Sequence, residues 1–471
     1  MQTVDSEETA DSEDGAGHQP TRADSAAQPG SLREVVAMAW PIVISMLSYT
    51  AMGVVDTLLV GWLGTTEVAA VGLATTAIFM LSAFGLGLLQ SVKIVVSQAT
   101  GAGEHARAEA ASWQGVWLAL PLGLLLMASG LGAATLFEWL GGSEALRHQA
   151  AAYFTLRVGA GPLWLLLVVL SSAIQGTGDT RTPMVINLVV NGLNIALDLV
   201  LIFGLGPVPA LGVEGAAWAT AAAQAIGATL ILAVFVARAR SRPHVDVALM
   251  GEVLRLGVPV GVQFMLDVAC WVVFGAALAR LGEAELAAHQ IAIKILSVSF
   301  LPGHGIGEAA CVLVGRYVGA EDPVAARRVV IEATKVGVVA MGSLGVVFWA
   351  IPEALFTLFQ ASPEVVGVGA QLLTIAALFQ VADAVAVVAL GALKGQGETR
   401  FVMWLSISSS WLVLLPIGMG LGVGLGMGAV GVWIGLLVHI TLIAVVSTAR
   451  LSRLPAASLV PTSTPLSTAS A

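Results

Sequence analysis

Charge is what this sequence lacks most. Of its 471 residues only 11% are Asp, Glu, Lys or Arg, while 57% are hydrophobic. A soluble globular protein carries about 25% charged residues. A chain with less than half of that cannot clothe a water-facing surface, which excludes the roughly three soluble domains that length alone would suggest. Cysteine is also scarce. Cys270 and Cys311 both sit in apolar segments; two are too few for a disulfide framework or a zinc motif, and each reads as a small apolar core residue. Alternating strands of about ten residues are missing, which excludes a transmembrane barrel. No His-rich or Ser-His constellation points to an intramembrane enzyme.

The net charge of -9 is gathered at one end: Asp5, Glu7, Glu8, Asp11, Glu13, Asp14 and Asp24 fall in the first few turns' length of chain. Residues 1–31 therefore read as a disordered acidic cytoplasmic tail without an apolar run to order it. With no basic start and no apolar centre it is not a signal peptide. Residues 454–471 read as a second solvated tail.

What is present is a succession of long apolar stretches from Val35 to Val446. A helix needs about 20 apolar residues to cross the hydrocarbon core. Twelve such spans are expected, at 35–61, 68–99, 112–140, 147–175, 183–205, 213–237, 252–281, 286–318, 327–356, 365–393, 401–424 and 428–450. The 53 glycines suit close helix–helix approach in lipid. The fold class is thus an all-α polytopic membrane protein. Lys and Arg set its orientation. With the amino terminus inside, Arg33, Arg107, Arg181, Arg238, Arg240, Arg316, Arg327, Lys394, Arg400 and Arg450 lie at inner ends, against Arg147 and Arg280 outside. The positive-inside rule places both termini in the cytoplasm.

The two halves of the chain repeat one another. LGTTEVAAVGLA at 63–74 matches LGEAELAAHQIA at 281–292, an offset of 218 that also maps Pro41 to Pro259, Gly87 to Gly305 and Gly101 to Gly319. QGTGDTR at 175–181 matches KGQGETR at 394–400. These Gly-rich turns lack the Lys-Ser/Thr ending of a phosphate loop. Six spans per half make a parallel repeat about an axis along the membrane normal, with a cleft between two lobes and alternating access as its natural mode. The expected units are an amino-terminal lobe 32–237, a linker 238–251 and a carboxy-terminal lobe 252–453.

A carboxylate inside a membrane span is expensive and points to function. Asp56 sits in span 1. In span 5, Asn187, Asn191, Asn194 and Asp198 follow one another in steps of four, three and four residues, which puts them on one face directed at a cavity. Asp56, Asp198 and Asn194 are expected to share a desolvated pocket and to titrate as a coupled unit. In the second half, Asp267 lies one turn after Gln263, and Asp383 lies beside Gln380. Lys93 and Lys294 are available to neutralise these acids, and His304 and Glu308, one turn apart, could bond each other.

At these residues a family becomes recognisable. The chain resembles the multidrug and toxic compound extrusion (MATE) family of secondary transporters from Leu32 to Arg453. The segments that carry the likeness are WPIVISMLSYTAMGVVDTLLVGWLG (40–64), SQATGAGEHARAEA (97–110), QGTGDTRTPM (175–184), LNIALDLVLIFG (193–204), LGVEGAAWAT (211–220), AAHQIA (287–292), LVGRYVGA (313–320) and KGQGETR. The resemblance implies two pseudo-symmetric six-helix lobes in a V, working as a monomer in the plasma (inner) membrane without a cofactor or nucleic acid. It implies export of small organic compounds, often cationic and amphiphilic, in exchange for H+ or Na+. It assigns proton coupling to Asp56, with Asn194, Asp198 and Thr220 around it and Pro41 as the point where span 1 bends. In the carboxy lobe it assigns a cation or substrate site, with possible Na+ binding, to Asp267 and Asp383, to which Gln263 is adjacent. The LNIALD segment is similar to the DNA-damage-inducible F and archaeal branch, whereas Asp267 with Asp383 is similar to the Na+-linked bacterial and eukaryotic branches, so the coupling ion stays open. A lipid-linked oligosaccharide flippase of the same superfamily is the alternative; it would need a basic cavity.

Overall fold

The computed structural model describes residues 28–205, 207–241 and 243–453. The two expected tails lie outside the described residues, apart from 28–31. Among the described residues every regular element is helical. Eleven helices are long and apolar enough to cross a membrane, and a bent pair brings the number to twelve.

In the amino lobe, span 1 is α1 (Leu32–Gly61). Span 2 is broken at Ser91 into α2 (Thr65–Gln90) and α3 (Val92–Gly101). Span 3 is α4 (His105–Ala128), a 3₁₀ turn and α5 (Ala133–Leu140). Span 4 is the bent pair α6 (Glu144–Gly159) and α7 (Gly161–Gly176), at 50° to one another. Spans 5 and 6 are α8 (Arg181–Phe203) and α9 (Val213–Arg238).

In the carboxy lobe, spans 7 and 8 are α10 (Val247–Ala279) and α11 (Glu283–Gly319). Span 9 is α12 (Pro323–Ala350), followed by the short α13 (Pro352–Thr357). Span 10 is α14 (Pro363–Gly395). Span 11 joins α15 (Thr399–Ser409), a π-turn at Ser410–Leu414, α16 (Leu415–Met419) and a second π-turn at Gly420–Gly424. Span 12 is α17 (Gly428–Arg453).

Two starts come well ahead of what apolarity suggests, those of α4 and α10. Helix α4 begins at His105 rather than 112, because its charged first turns find partners. Arg107 takes both Glu252 oxygens of α10 at 2.9 Å, and Glu109 accepts the N–H groups of Arg240 and Ser241. Helix α10 begins at Val247 because Asp246 caps it, accepting from Ala248 and Leu249 at 2.9 and 3.0 Å. The linker is therefore shorter than expected and fastened to α4, where Gln114 also binds the His244 carbonyl and the Asp246 N–H.

The repeat becomes a pseudo-two-fold arrangement. The terminal-side half of α1 packs with α11, in one apolar cluster that holds Val35, Ala39, Ile42, Ile306 and Leu313. Its counterpart, the first half of α10, joins the amino-lobe cluster through Leu249, Val253 and Leu256. The lobes meet most closely near the face that carries Leu32 and Arg453. A Cβ on Gly101 would lie 1.8 Å from the Arg316 carbonyl oxygen, and one on Gly319 would lie 1.8 Å from the Gln98 carbonyl oxygen. Both halves need glycine there for the same reason: backbone touches backbone across the lobes. Away from that face a cavity of about 310 Å³ separates Thr76, Phe79 and Met80 of α2 from Val268, Trp271 and Val272 of α10. The molecule is a V of two six-helix lobes.

Candidate functional site

The polar stripe of α8 faces into the amino lobe as its spacing requires. Asn194 and Asp198 are fully buried, Asn191 is nearly so, and Asn187 is half-buried. Asn191 donates its amide to Ser48 Oγ on α1 at 2.8 Å. Asn194 donates to Thr220 Oγ1 on α9 at 3.4 Å, and Thr220 in turn donates to the Ala216 carbonyl. Asp198 meets Asp56 of α1 side chain to side chain. Neither Asp198 oxygen has a donor, nor has Oδ1 of Asp56 or Oδ1 of Asn194. Unmade hydrogen bonds on buried carboxylates are costly. A proton held between the two acids would supply the missing donor and remove one of two like charges.

Pro41 does not share this pocket. It stands fifteen residues before Asp56 on α1, about 22 Å along the axis at 1.5 Å per residue. It is buried where Ala39 and Ile42 pack against α11, and α1 runs through it without a break. The reason is the crossing of α1 from one lobe to the other, which spacing along one helix cannot show.

A cation beside the carboxylates was not among the expected residues. Arg157, in the last turn of α6, donates Nη1 to Gln224 Oε1 of α9 at 3.0 Å. Its charge bears on Asp56, Asp198 and the phenol of Tyr153. Gln224 is buried and stands one turn after Thr220. The signal was available: Arg157 is a charge inside span 4, within neither an inner nor an outer loop.

In the carboxy lobe, Asp267 accepts from Gln263 Nε2 at 3.3 Å, from Ser406 Oγ at 3.2 and 3.1 Å, and from Ser410 Oγ at 3.4 Å. Ser410 opens the π-turn of span 11 and Ser406 stands one turn before it in α15; such turns are frequent at functional sites. Gln263 Oε1 is buried without a partner. Asp383, half-buried on α14, is not among the partners of Asp267. The two do not form the pair expected of them, because α10 packs mainly on α2, α15 and α4 while α14 packs on α11, α12 and α17.

The lysines are also placed differently from expectation. Lys93 of α3 forms an ion pair with Glu308 of α11, buried between the lobes. Glu308 thus pairs with Lys93, while His304, one turn before it, stacks on Phe300 with centroids 5.6 Å apart. Lys294 is exposed and neutralises neither acid. Lys394, assigned to an inner end, has its charge directed at Asp267, His304 and Glu308.

The two Gly-rich turns have matching roles. Gly178 and Gly397 hold positive φ, 97° and 86°, which favours glycine. Asp179 pairs with Arg238 at 2.8 Å, and Glu398 pairs with Arg450 at 3.1 Å. In each lobe the turn carboxylate thus ties the fourth-to-fifth span connection to the end of the sixth.

The MatE family model matches residues 41–200 and 259–419, one segment in each lobe. The chain belongs to the MatE family. It is 31% identical over 433 residues to multidrug resistance protein MdtK of Yersinia pseudotuberculosis serotype O:1b (strain IP 31758), covering 89% of this chain and 94% of that MatE relative. MdtK of Yersinia pestis (strain Pestoides F) matches to the same extent. Among solved structures, a MOP superfamily transporter from Pyrococcus furiosus Vc1 (DSM3638) superposes with a TM-score of 0.83 at 21% identity, covering 91% of this chain and 96% of that one. A multidrug resistance MATE family transporter in an outward-facing conformation gives 0.83 at 21% identity, covering 89% and 96%. These structures establish the shared MatE fold.

Proposed function

We propose that this protein is a secondary-active antiporter of the plasma (inner) membrane, not an enzyme, working as a monomer with both termini in the cytoplasm. It exports small organic compounds, chiefly cationic and amphiphilic, in exchange for protons. The observation that carries the coupling is the contact of Asp56 with Asp198, whose oxygens lack donors in a buried pocket. A proton and a cationic substrate are alternative ways to neutralise such a site. Phe79, Met80 and Trp271 around the interlobe cavity offer flat and polarizable contacts for an aromatic cation. The MdtK relatives, named multidrug resistance proteins, favour this cargo over a lipid-linked oligosaccharide.

A second reading makes Na+ the coupling ion in the carboxy lobe. It is favoured by the unpartnered Gln263 Oε1 beside the Asp267 carboxylate and the Ser406 and Ser410 hydroxyls, an all-oxygen set that suits a hard cation. Efflux of a fluorescent organic cation from proteoliposomes, with H+ and Na+ gradients imposed separately, decides between them. Proton coupling predicts efflux under the pH gradient alone. Efflux under the Na+ gradient alone would move the mechanism to Asp267.

A further inference from the structure

Among the described residues three ion pairs join the two halves of the chain, and a movement of the lobes would treat them differently. Arg107 pairs with Glu252 at 2.9 Å, and Arg316 with Glu34 at 3.8 Å. Both glutamates stand in the first two turns of α10 and α1, whose beginnings already pack on the opposite lobe. Each of these pairs can travel with that lobe unbroken. Lys93 and Glu308 cannot. Lys93 belongs to α3, whose Val92, Val95 and Val96 are in the amino-lobe core, and Glu308 to α11, whose Ile306, Ala309 and Leu313 are in the carboxy-lobe core. Their side chains are 7% and 16% exposed, whereas those of the other two pairs are 22% or more. Parting the lobes on the terminal side must break this pair.

The pair also marks a depth. Glu308 shares a face of α11 with His304 and Phe300, one and two turns before it. Phe300 is 47% exposed and His304 partly so, but Cys311, Val312 and Gly315 beyond Glu308 are buried. On α3, Ser97 stands one turn after Lys93 and is fully buried, and a Cβ on Gly315 would lie 2.3 Å from its Oγ. The ion pair thus sits where the accessible face of α11 ends and the closed terminal-side contact begins. A buried ion pair adds little net stability, because water repays each ion when the two separate. One ion left alone in the same contact is far more costly. A contact of this kind can form and break in a cycle as long as both members are present. We propose that Lys93 and Glu308 form the latch that holds the terminal-side contact closed while the cavity between α2 and α10 is open, and that alternating access proceeds through its rupture. The proposal rests on the reading of the protein as an alternating-access antiporter.

The test reads both sides of the lobe contact in membranes without a gradient or cargo. In a background of Cys270→Ala and Cys311→Ala, Ser97→Cys reports the terminal side and Thr76→Cys, at the cavity, reports the other. Each is followed by its rate of labelling with a membrane-permeant maleimide. Lys93→Ala strands Glu308 in the closed contact but not in the parted one, where water reaches it. Ser97→Cys should then label at least about ten times faster, and Thr76→Cys more slowly. Glu308→Gln should do the same through the stranded Lys93. Joining the two substitutions removes both charges and should return both rates most of the way to native. Native-like rates in the single variants would overturn the latch. Faster labelling at both reporters would also overturn it, since that marks loosened packing rather than a switch between two states. If Lys93→Ala fails to fold, Glu308→Gln alone carries the same outcomes. The latch and the antiporter reading fail separately. Native-like labelling together with gradient-driven export removes only the latch, whereas the paired change in labelling without export under either gradient keeps the latch and removes the antiport.

Discussion

The two lobes share a backbone plan and differ in what they bury. Each has a proline inside its first helix, at Pro41 and Pro259. Each has a glycine whose Cα side meets the other lobe's backbone, at Gly101 and Gly319, and a turn acid tied to an arginine at the end of its sixth span. The buried polar groups follow no such symmetry. In the amino lobe two carboxylates face each other with oxygens unsatisfied beside a guanidinium. In the carboxy lobe Asp267 is held by three side chains, and Asp383 stands apart. Close packing and turn geometry tolerate few residue types and so stay alike in both halves. An interior cavity tolerates many, which leaves the buried polar groups of the two lobes free to differ. The interlobe ion pair shows the same freedom. Offset by 218, the positions of Lys93 and Glu308 map to Cys311 and Gln90, so the ion pair has no mirror-related partner.

The sharpest break in this comparison is functional. Asp56→Asn should abolish export driven by a pH gradient, measured as dye efflux from proteoliposomes, while dye binding survives. Asp267→Asn should leave pH-driven export largely in place. The reverse outcome would assign coupling to the carboxy lobe. Next in size is the ion pair between the lobes. Lys93→Ala leaves Glu308 buried without its partner, and removing one member of a buried pair costs about 3–5 kcal/mol. The loss should show as a lower unfolding temperature in detergent and be mostly recovered by adding Glu308→Gln. Lys294→Ala, at an exposed position, should change little. Equal effects of Lys93→Ala and Lys294→Ala would refute the assignment.

The pseudo-two-fold contact is tested by Gly101→Ala and Gly319→Ala. Each places a methyl group against a carbonyl of the other lobe, and overpacking of this kind costs about 1–3 kcal/mol. Both should raise the reactivity of a cysteine introduced at the terminal-side lobe contact, and by similar amounts; an effect confined to one would break the symmetry.

The smallest effect belongs to the turns. Partial burial pushes the Asp179 carboxyl up, but the Thr182 hydroxyl and N–H and the Arg238 guanidinium outweigh it and hold it below its ordinary value of 3.8. A depressed carboxyl contributes stability above its unfolded value and loses it as the pH falls through its folded one. The pair is partly exposed, so Asp179→Asn should cost at most about 1 kcal/mol near neutral pH. The difference between variant and native stability should vanish once the pH is well below 3.8. A difference that persists there would mean that Asp179 acts by shape rather than charge.

Much of the amino-lobe site was legible in the sequence because it lies on one helix. The steps from Asn187 to Asp198 fix a common face whatever surrounds it, and α8 does turn Asn191, Asn194 and Asp198 inward. Asp56 could be anticipated because a carboxylate in lipid needs a reason. Arg157 fell outside this logic, since its partners come from α1, α8 and α9, none of them near it in sequence. The surroundings of Asp267 were hard to read for a related reason. Asp267 and Asp383 each look like half of a site, but two of the partners of Asp267 are serines of span 11, far from it in the chain, which hydropathy does not report.

By itself the sequence determined the number of spans, their order and the twofold repetition. These follow from the length of apolar runs against the thickness of a bilayer and from an offset that needs no coordinates. It also determined which helix faces are polar, through the period of the helix. Only the tertiary structure decided which polar groups meet: Lys93 with Glu308 rather than Asp56, Arg157 with Gln224, and Asp267 with Gln263 and two serines. Electrostatic energy depends on distance through space in a medium of low dielectric. Helices far apart in the chain can lie side by side, so no spacing along the sequence fixes those distances.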